Sequence, residues 1–503
     1  MFSLQKIFTK PIILTVGLIS LFYVFLLPYL DSSFVAINEP DWIERSARFM
    51  EALSRGDFAS TYQKYHPGVT LMWIVGLCTK LFKGDLFSIA IFPHFAFFTR
   101  VVLGTVFLAV LLFGFFRLYR LFGSRDALSI ILALFITEPF VMALIRSIGP
   151  DSLLTIFIFA FLSFFIAFVE ENKFLDLFLC GIFLGLALLT KMTALVLLPV
   201  FLVGLLLYRR KKFIKSFLVI ILIAAAVFFI LFPAMWVSPV TTLKDIITLG
   251  VIDAPLYDYA SPIISDYLSN NIFIQRIFSY PLVFLFRVSP ILLILFLFGI
   301  ISLFSKKLNP RLRKLGIISL LFLFFYYIPI SFADKKIFKY TLPLFIPALF
   351  LGFVGLKRLS ENFRVGWFKI IFLLFLIIQV LYNFSFAPND LFYFNPLLGG
   401  IGTASRFVKI ELETTGFSAA GAYLNSLGID ENTVIATYPP DSLGPFVIGR
   451  VEDIRTYTGA DFLLVPLSKE EEFKDKITSA YVLEKKFVYK NLDYLFLYRK
   501  RQQ

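Results

Sequence analysis

The sequence predicts an all-α polytopic membrane protein of about eleven transmembrane helices, with a long first extracytoplasmic loop bearing surface helices and a small C-terminal α/β extracytoplasmic domain. Three observations predict it. Of 503 residues, 59% are apolar and only 16% charged, a composition too poor in charge for a water-soluble body of this size. Eleven runs reach or approach the roughly 20 apolar residues that a helix needs to cross a bilayer. The net charge of +14, from 48 Lys and Arg against 34 Asp and Glu, gathers in loops on one side of those runs, as the positive-inside rule requires. That placement accounts for the basic excess without nucleic acid.

The first span, Pro11 to Leu30, follows Lys6 and Lys10. It is too long for a signal-peptide core and has no small-residue cleavage site behind it. Further spans are expected at 97–116, 127–145, 152–169, 174–190, 193–208, 216–233, 281–304, 315–333, 341–356 and 366–387. Val69–Phe82 decides the topology, because a crossing there would invert every later loop. Its 14 residues, Lys80 among them, are too few to span, and it is expected to be re-entrant or interfacial. The loops carrying Arg117, Arg120 and Arg125, then Arg209 to Lys215, Lys306 to Lys314, and Lys357 to Lys369 then all share the cytoplasmic side with the N-terminus.

The C-terminus is expected outside, in a plasma (inner) membrane of prokaryotic type, since no endoplasmic-reticulum retention signal appears. Residues 1–387 form the expected transmembrane domain, with outer loops at 31–96 and 234–280, and 388–503 the C-terminal domain. The latter shows a helical stretch near Ser418–Ser426, strands at Thr433–Thr437 and Phe462–Pro466, and a hairpin over Tyr481–Tyr498 that turns at Lys490, Asn491 and Asp493,.

After the first span, Trp42, Ala47, Phe49, Met50 and Leu53 recur at partly helical spacing among Glu44, Arg45, Arg48 and Glu51. That pattern suits a helix lying on the membrane surface, and Pro40 suits its start. Glu39, Asp41 and Glu44 fit two readings. They are the acids a helix N-terminus favours, or carboxylates that activate a hydroxyl or hold a cation. Asp151, behind Gly149-Pro150 at the start of the fourth span, has the same two readings. Cations on the outer side run against the charge bias. Lys191 interrupts GLALLTKMTALVLLP, Arg287 lies near the start of the eighth span, and Lys335, Lys336 and Lys339 precede the tenth. An anionic lipid phosphate would account for them, as would snorkelling to the interface. Cys78 and Cys180 sit far apart in apolar runs, and His66 and His94 are the only histidines, so neither disulfide nor zinc spacing is present.

In order along the chain, Asn38-Glu39, the helix ERSARFMEAL, YHPG at Tyr65–Gly68, GPDSLLT, GLALLTKMTALVLLP and KKIFKYTLP resemble the C-type membrane glycosyltransferases. The resemblance is to the family 39-like group that includes protein O-mannosyltransferases and lipid A aminoarabinose transferases, and it is strongest over residues 36–200. YFNPLLGG and ADFLLVP in the tail resemble uncharacterised bacterial members. The resemblance implies a transferase of protein mannosylation or other cell-envelope glycosylation, which inverts the sugar as it moves it from a polyprenyl-phosphate carrier to a hydroxyl of a protein, lipid or glycan. It implies His66, Lys191, Arg287, Lys336, Lys339 and Tyr340 as contacts of the carrier phosphate and sugar, and Asp151 as the group that orients acceptor or base.

One departure is chemical. The first acid of the family's pair, its base, falls on Asn38, and an amide cannot take a proton. Glu39 or Asp41 is therefore expected as base. No cofactor is required, though the acids could hold a divalent cation. A non-catalytic carrier-binding subunit, a lipid or glycan transporter, and a lipid-linked glycan polymerase or ligase are the rival readings. Spans nearly free of acids and the absence of an internal repeat speak against the transporter.

Overall fold

The computed structural model describes residues 10–28, 30, 38–123, 125–253, 263–264, 271–334, 336–362, 366–387, 389–412, 414–477 and 480–501. Lys6, Lys335 and Arg364 lie outside them.

The chain enters through α1 (Lys10–Leu26) and continues to α2 (Glu39–Ser54). Asn38 is the N-cap of α2 and Pro40 lies in its first turn, where a missing N–H costs nothing. Trp42, Ile43, Phe49 and Met50 are buried, while Asp41–Arg45, Glu44–Arg48 and Glu51–Arg55 pair one turn apart on the outer face,. The buried face rests on α3 (Val69–Thr79). This helix of 11 residues is about 16 Å long, roughly half the hydrocarbon thickness.

Next come α4 (Phe92–Phe122), α5 (Arg125–Ile136), α6 (Pro139–Arg146), α7 (Pro150–Glu171), α8 (Phe174–Thr190), α9 (Leu197–Tyr208) and α10 (Phe213–Leu231). The axes of α5 and α6 differ by 59°, because Pro139 has no N–H with which to continue the helical ladder. The hydrophobic window of α7 is wholly enclosed by its neighbours, which puts Asp151 at the centre of one end of the bundle.

Two expectations are corrected in the following stretch. The expected outer loop 234–280 carries α11 (Ala234–Val237), α12 (Pro239–Asp245) and a π-helical stretch Ile246–Asp253, and α13 (Ile272–Arg287) begins inside it. The expected eighth span is divided, since α13 stops at Arg287 and α14 starts at Pro290. At the break the Ser289 amide donates to Glu138 at 3.0 Å and its hydroxyl donates to the same carboxylate, so irregular backbone inside the bundle is satisfied.

α15 (Pro310–Phe332), α16 (Phe345–Asn362) and α17 (Gly366–Phe384) complete the bundle. Among the described residues five helices are long and apolar enough to cross a membrane, and the bent α5–α6 pair would make a sixth. The other expected spans appear as apolar helices of 10–17 residues.

Glycine permits the closest helix contact. A Cβ on Gly299 of α14 would lie 2.0 Å from the Leu351 carbonyl of α16, and one on Gly355 would lie 2.3 Å from the Leu295 carbonyl. Because the obstacles are backbone atoms, Gly299→Ala is expected to push the two helices apart and cost about 1–3 kcal/mol. Thermal unfolding in detergent reads this, and an unchanged transition would count against so tight a seam.

Beyond α17, α18 (Gly400–Phe407) and α19 (Phe417–Ser426) lead to a five-stranded sheet of β1 (Val434–Thr437), β2 (Arg450–Asp453), β3 (Phe462–Pro466), β4 (Tyr481–Tyr489) and β5 (Leu492–Lys500). Its order is β2-β1-β3-β5-β4. β1 pairs in parallel with β2 and β3, while β5 pairs antiparallel with β3 and β4. The hairpin turns at Lys490 and Asn491, both at positive φ (44° and 67°), as a two-residue turn matched to strand twist requires. β2 is the strand that sequence reading misses, since RVED offers one apolar residue in four.

Candidate functional site

Two interruptions of helix build the site. α8 stops at Thr190 and the chain resumes as a 3-10 turn from Met192, leaving Lys191 on extended backbone (φ −161°, ψ 134°). Facing it, α15 ends at Phe332 and a 3-10 stretch, Phe338–Leu344, leads into α16. Between them lies a cavity of about 290 Å³. Met192, Leu195, Val196, Val251, Pro329 and Ile330 give it apolar walls, and His66, Lys191, Thr193 and Tyr340 supply its polar groups.

Lys191 is the central charge. Its Nζ donates to Asp151 Oδ1 at 2.7 Å and lies 4.3 Å from the centre of the Tyr340 ring, within cation–π range. Burial opposes its charge, but Asp151 and Tyr340 outweigh burial and hold the ammonium above the ordinary lysine range,. Pro150 starts α7 and places Asp151 in its first turn. The Tyr326 hydroxyl donates to the Tyr340 carbonyl at 3.1 Å and steadies the opposite wall. The His66 ring packs on Tyr65 with centroids 4.2 Å apart. The structure thus brings together four of the expected residues: Asp151, Lys191, His66 and Tyr340.

The other expected residues lie elsewhere, each for a definite reason. Glu39 is fully buried. Its Oε2 accepts from Arg100 Nη2 at 3.0 Å and its Oε1 from the Ile148 amide at 2.7 Å. Burial pushes this carboxyl above its usual range, while Arg100, the Ile148 amide and Ser147 pull it back. With both oxygens engaged and water excluded, Glu39 is an anchor and not an open base. Asp41 is exposed and paired with Arg45 at 3.0 Å, off the cavity wall. Arg287 donates to the carbonyls of Leu391 (2.5 Å) and Tyr393 (3.0 Å) and stacks 3.9 Å from the Phe394 ring centre. It therefore fastens the start of the tail and does not line this cavity. Lys339 donates to Asn38 Oδ1 at 3.1 Å.

Lys336 donates to the carbonyls of Ile330 (3.0 Å), Ser331 (2.5 Å) and Ala333 (2.6 Å), closing the end of α15 beneath the cavity wall. Burial, with Arg276 nearby, lowers its pKa to about 8 from 10.5, against the pull of Asp334. Between those two values the unfolded chain holds a proton that the folded chain has released, so stability rises with pH across that window. Lys336→Met is expected to remove this rise, and equilibrium unfolding from pH 8 upward measures it. Identical pH slopes in wild type and variant would sink the assignment.

Sequence reading passed over two buried arginines. Arg100 interrupts an apolar run, a signal that an intramembrane cation serves a specific partner, and the partner is Glu39. Arg146 pairs with Asp390 and donates to the carbonyls of Phe25 and Leu26 (the latter at 3.3 Å), so it joins α1, α6 and the tail. Asp390 lies 244 residues further along, and nothing local announces the pair.

The chain is similar to known proteins in sequence pattern over part of its length and in fold. The family described as dolichyl-phosphate-mannose-protein mannosyltransferase matches residues 66–236, a stretch that includes His66, Asp151 and Lys191. The structure of ArnT from Cupriavidus metallidurans bound to undecaprenyl phosphate is similar over 97% of this chain and 97% of its own, at 14% identity and a TM-score of 0.55. Its apo state matches over the same shares at 13% identity and 0.51. The archaeal oligosaccharyltransferase AglB from Archaeoglobus fulgidus, in complex with an inhibitory peptide and a dolichol-phosphate, overlaps 93% of this chain and 70% of its own at 11% identity and 0.47. No curated protein matches the chain. The resemblance read from the motifs thus holds, with the mannosyltransferase-family pattern over residues 66–236 and the fold of ArnT over 97% of the chain.

Proposed function

We propose that the protein is an inverting glycosyltransferase that takes a sugar from a polyprenyl-phosphate carrier and places it on an acceptor hydroxyl of a protein, lipid or glycan at the outer face of a plasma membrane. One observation carries the reading. A lysine held charged by Asp151 and Tyr340 lines a cavity whose walls combine a few polar groups with mainly apolar side chains, which suits a ligand with a phosphate head and a hydrocarbon tail. The outer face is supported by charge, because the opposite ends of these helices bear Arg117, Lys173, Arg311 and Lys314 around Glu170, Glu171 and Asp176,.

In this reading the acceptor oxygen attacks the anomeric carbon from the side opposite the phosphate. The carbon–oxygen bond to the carrier breaks, the electron pair leaves with the phosphate, and Lys191 stabilises the charge that develops there. Asp151 takes the acceptor proton, and His66 and Tyr340 border the sugar. The deprotonation role expected of Glu39 or Asp41 passes to Asp151 because Glu39 has both oxygens engaged and Asp41 is paired with Arg45, whereas Asp151 is bonded directly to the cavity-lining Lys191.

A second reading, a carrier-binding subunit without turnover, is favoured by the amide at Asn38 and its contact with Lys339. Purified protein, radiolabelled polyprenyl-phosphate sugars and membrane extract separate the two. Transfer that is lost in Asp151→Asn supports the transferase with Asp151 as base. Saturable carrier binding with no transfer from any donor supports the subunit.

A further inference from the structure

The contacts around Lys191 close into a ring. Asn38 Oδ1 accepts from Lys339 Nζ at 3.1 Å. The next residue, Tyr340, has its ring 4.3 Å from Lys191 Nζ, and Lys191 donates to Asp151 at 2.7 Å. Three residues before Asp151, the Ile148 amide donates to Glu39 at 2.7 Å, and Glu39 adjoins Asn38. The three hydrogen bonds span 301, 40 and 109 residues of chain, so none follows from a helix's own geometry.

Two features set this apart from ordinary capping. Asparagine is favoured at an N-cap because its side chain accepts from the first turn, yet Asn38 makes no such bond and turns its oxygen to Lys339. A glutamate in a first helical turn normally faces water, yet Glu39 is buried on Arg100, whose Nη1 in turn donates to the Leu30 carbonyl at 2.5 Å. The link from Ile148 to Asp151 is short. Only Gly149, extended (φ −155°), and Pro150, with a ring-locked φ, lie between them. A displacement at Ile148 therefore reaches Asp151 across two residues.

We propose that the Asn38–Glu39 dipeptide is a positioning device that fixes Asp151 and Tyr340 relative to each other and thereby holds Lys191 in the cavity wall. Neither residue lines the cavity, so both act through others. The consequence for ligand binding rests on the carrier-phosphate reading of Lys191, whereas the effect on Lys191 itself does not. The titratable groups facing Lys191 are Asp151 from α7, Tyr340 from the 3-10 stretch with Tyr326 of α15 behind it, and His66 across the cavity.

The full-length protein in detergent is probed in two ways: affinity for undecaprenyl phosphate, and titration of Lys191 by NMR after reductive 13C-methylation, which needs no ligand. Glu39→Gln is expected to weaken binding about tenfold and to lower the Lys191 titration, as Asp151→Asn does, with the double variant no worse than Asp151→Asn alone. Asn38→Ala should weaken binding about threefold, and Asn38→Asp, which restores the link to Lys339 as an ion pair, should bind as wild type does. Thermal unfolding of each variant separates lost positioning from lost fold, and if Glu39→Gln does not fold the two Asn38 variants decide.

The ring is refuted if folded Glu39→Gln and Asn38→Ala leave both affinity and the Lys191 titration unchanged, or if the Glu39 and Asp151 effects simply add. A wild-type protein that binds no undecaprenyl phosphate refutes the carrier reading instead, and the Lys191 titration still tests the ring.

Discussion

Lys191→Met is expected to lower affinity for a polyprenyl phosphate by about 100-fold and to abolish sugar transfer, while the protein still folds. Two effects add. A charge-assisted hydrogen bond to phosphate contributes about 1.5–3 kcal/mol, and its loss alone is worth roughly 10-fold to 150-fold. The second effect comes from Asp151, only 8% exposed, which loses its partner at 2.7 Å and then confronts the carrier phosphate as a bare like charge. Lys191→Met/Asp151→Asn removes that repulsion and should bind more tightly than Lys191→Met alone, although it cannot transfer. Lys191→Arg keeps the charge but brings a planar fork where a compact ammonium sits over Tyr340,, and an intermediate affinity is expected. Equal affinity in wild type and Lys191→Met, read by titration with undecaprenyl phosphate, would remove the observation on which the proposed function stands.

Arg146→Leu is expected to be the most destabilising single change, by about 3–5 kcal/mol. Its guanidinium is buried, pairs with buried Asp390, and donates to the carbonyls of Phe25 and Leu26. The substitution strands a carboxylate and two carbonyls without donors in an apolar interior. Asp390→Asn should cost less, since an amide still accepts from Arg146. Arg146→Leu/Asp390→Leu should recover part of the loss, because replacing both members of a buried pair with apolar side chains spares the unpaired charge. Equilibrium unfolding of the four proteins in one detergent reads this. A double variant no more stable than Arg146→Leu would mean that the carbonyls of α1 carry the energy, and an unperturbed Arg146→Leu would discard the pair as a fastening.

What the sequence discloses depends on how local the cause is. The surface helix α2 is legible because Pro40, the acids of its first turn and its apolar spacing all lie within a few residues. The Lys490–Asn491 hairpin is legible for the same reason. Asp151 and Lys191 stand out because each sits against its surroundings, an acid at a membrane edge and a cation against the charge bias; Lys191 lines the cavity and Asp151 bonds to it. Arg287 and Lys336 stand out by the same rule, yet they serve main-chain carbonyls. Irregular backbone beside a membrane core needs donors as urgently as a phosphate does, and a sequence does not distinguish the two clients. Glu39 shows the converse. Its place beside Asn38 suggested a base, but Arg100, 61 residues on, takes it out of reach. The break between α13 and α14 is hidden because the apolar run continues through it, and only Glu138, 151 residues earlier, explains why Ser289 can leave the helix.

The contact between Arg146 and Asp390 also sets a timetable. The ribosome releases Arg146 long before its counter-ion, 244 residues later, and at about 5–20 residues per second the gap is roughly 12 to 50 s. Glu39 and Arg100 meet after only 61 residues, so the surface helix can be secured early. During the wait Arg146 has the carbonyls of Phe25 and Leu26 but no counter-charge, and it must stay at the membrane edge in contact with water or headgroups. The end of the bundle that holds the cavity therefore closes late in synthesis, when the polypeptide that follows α17 arrives to seal it.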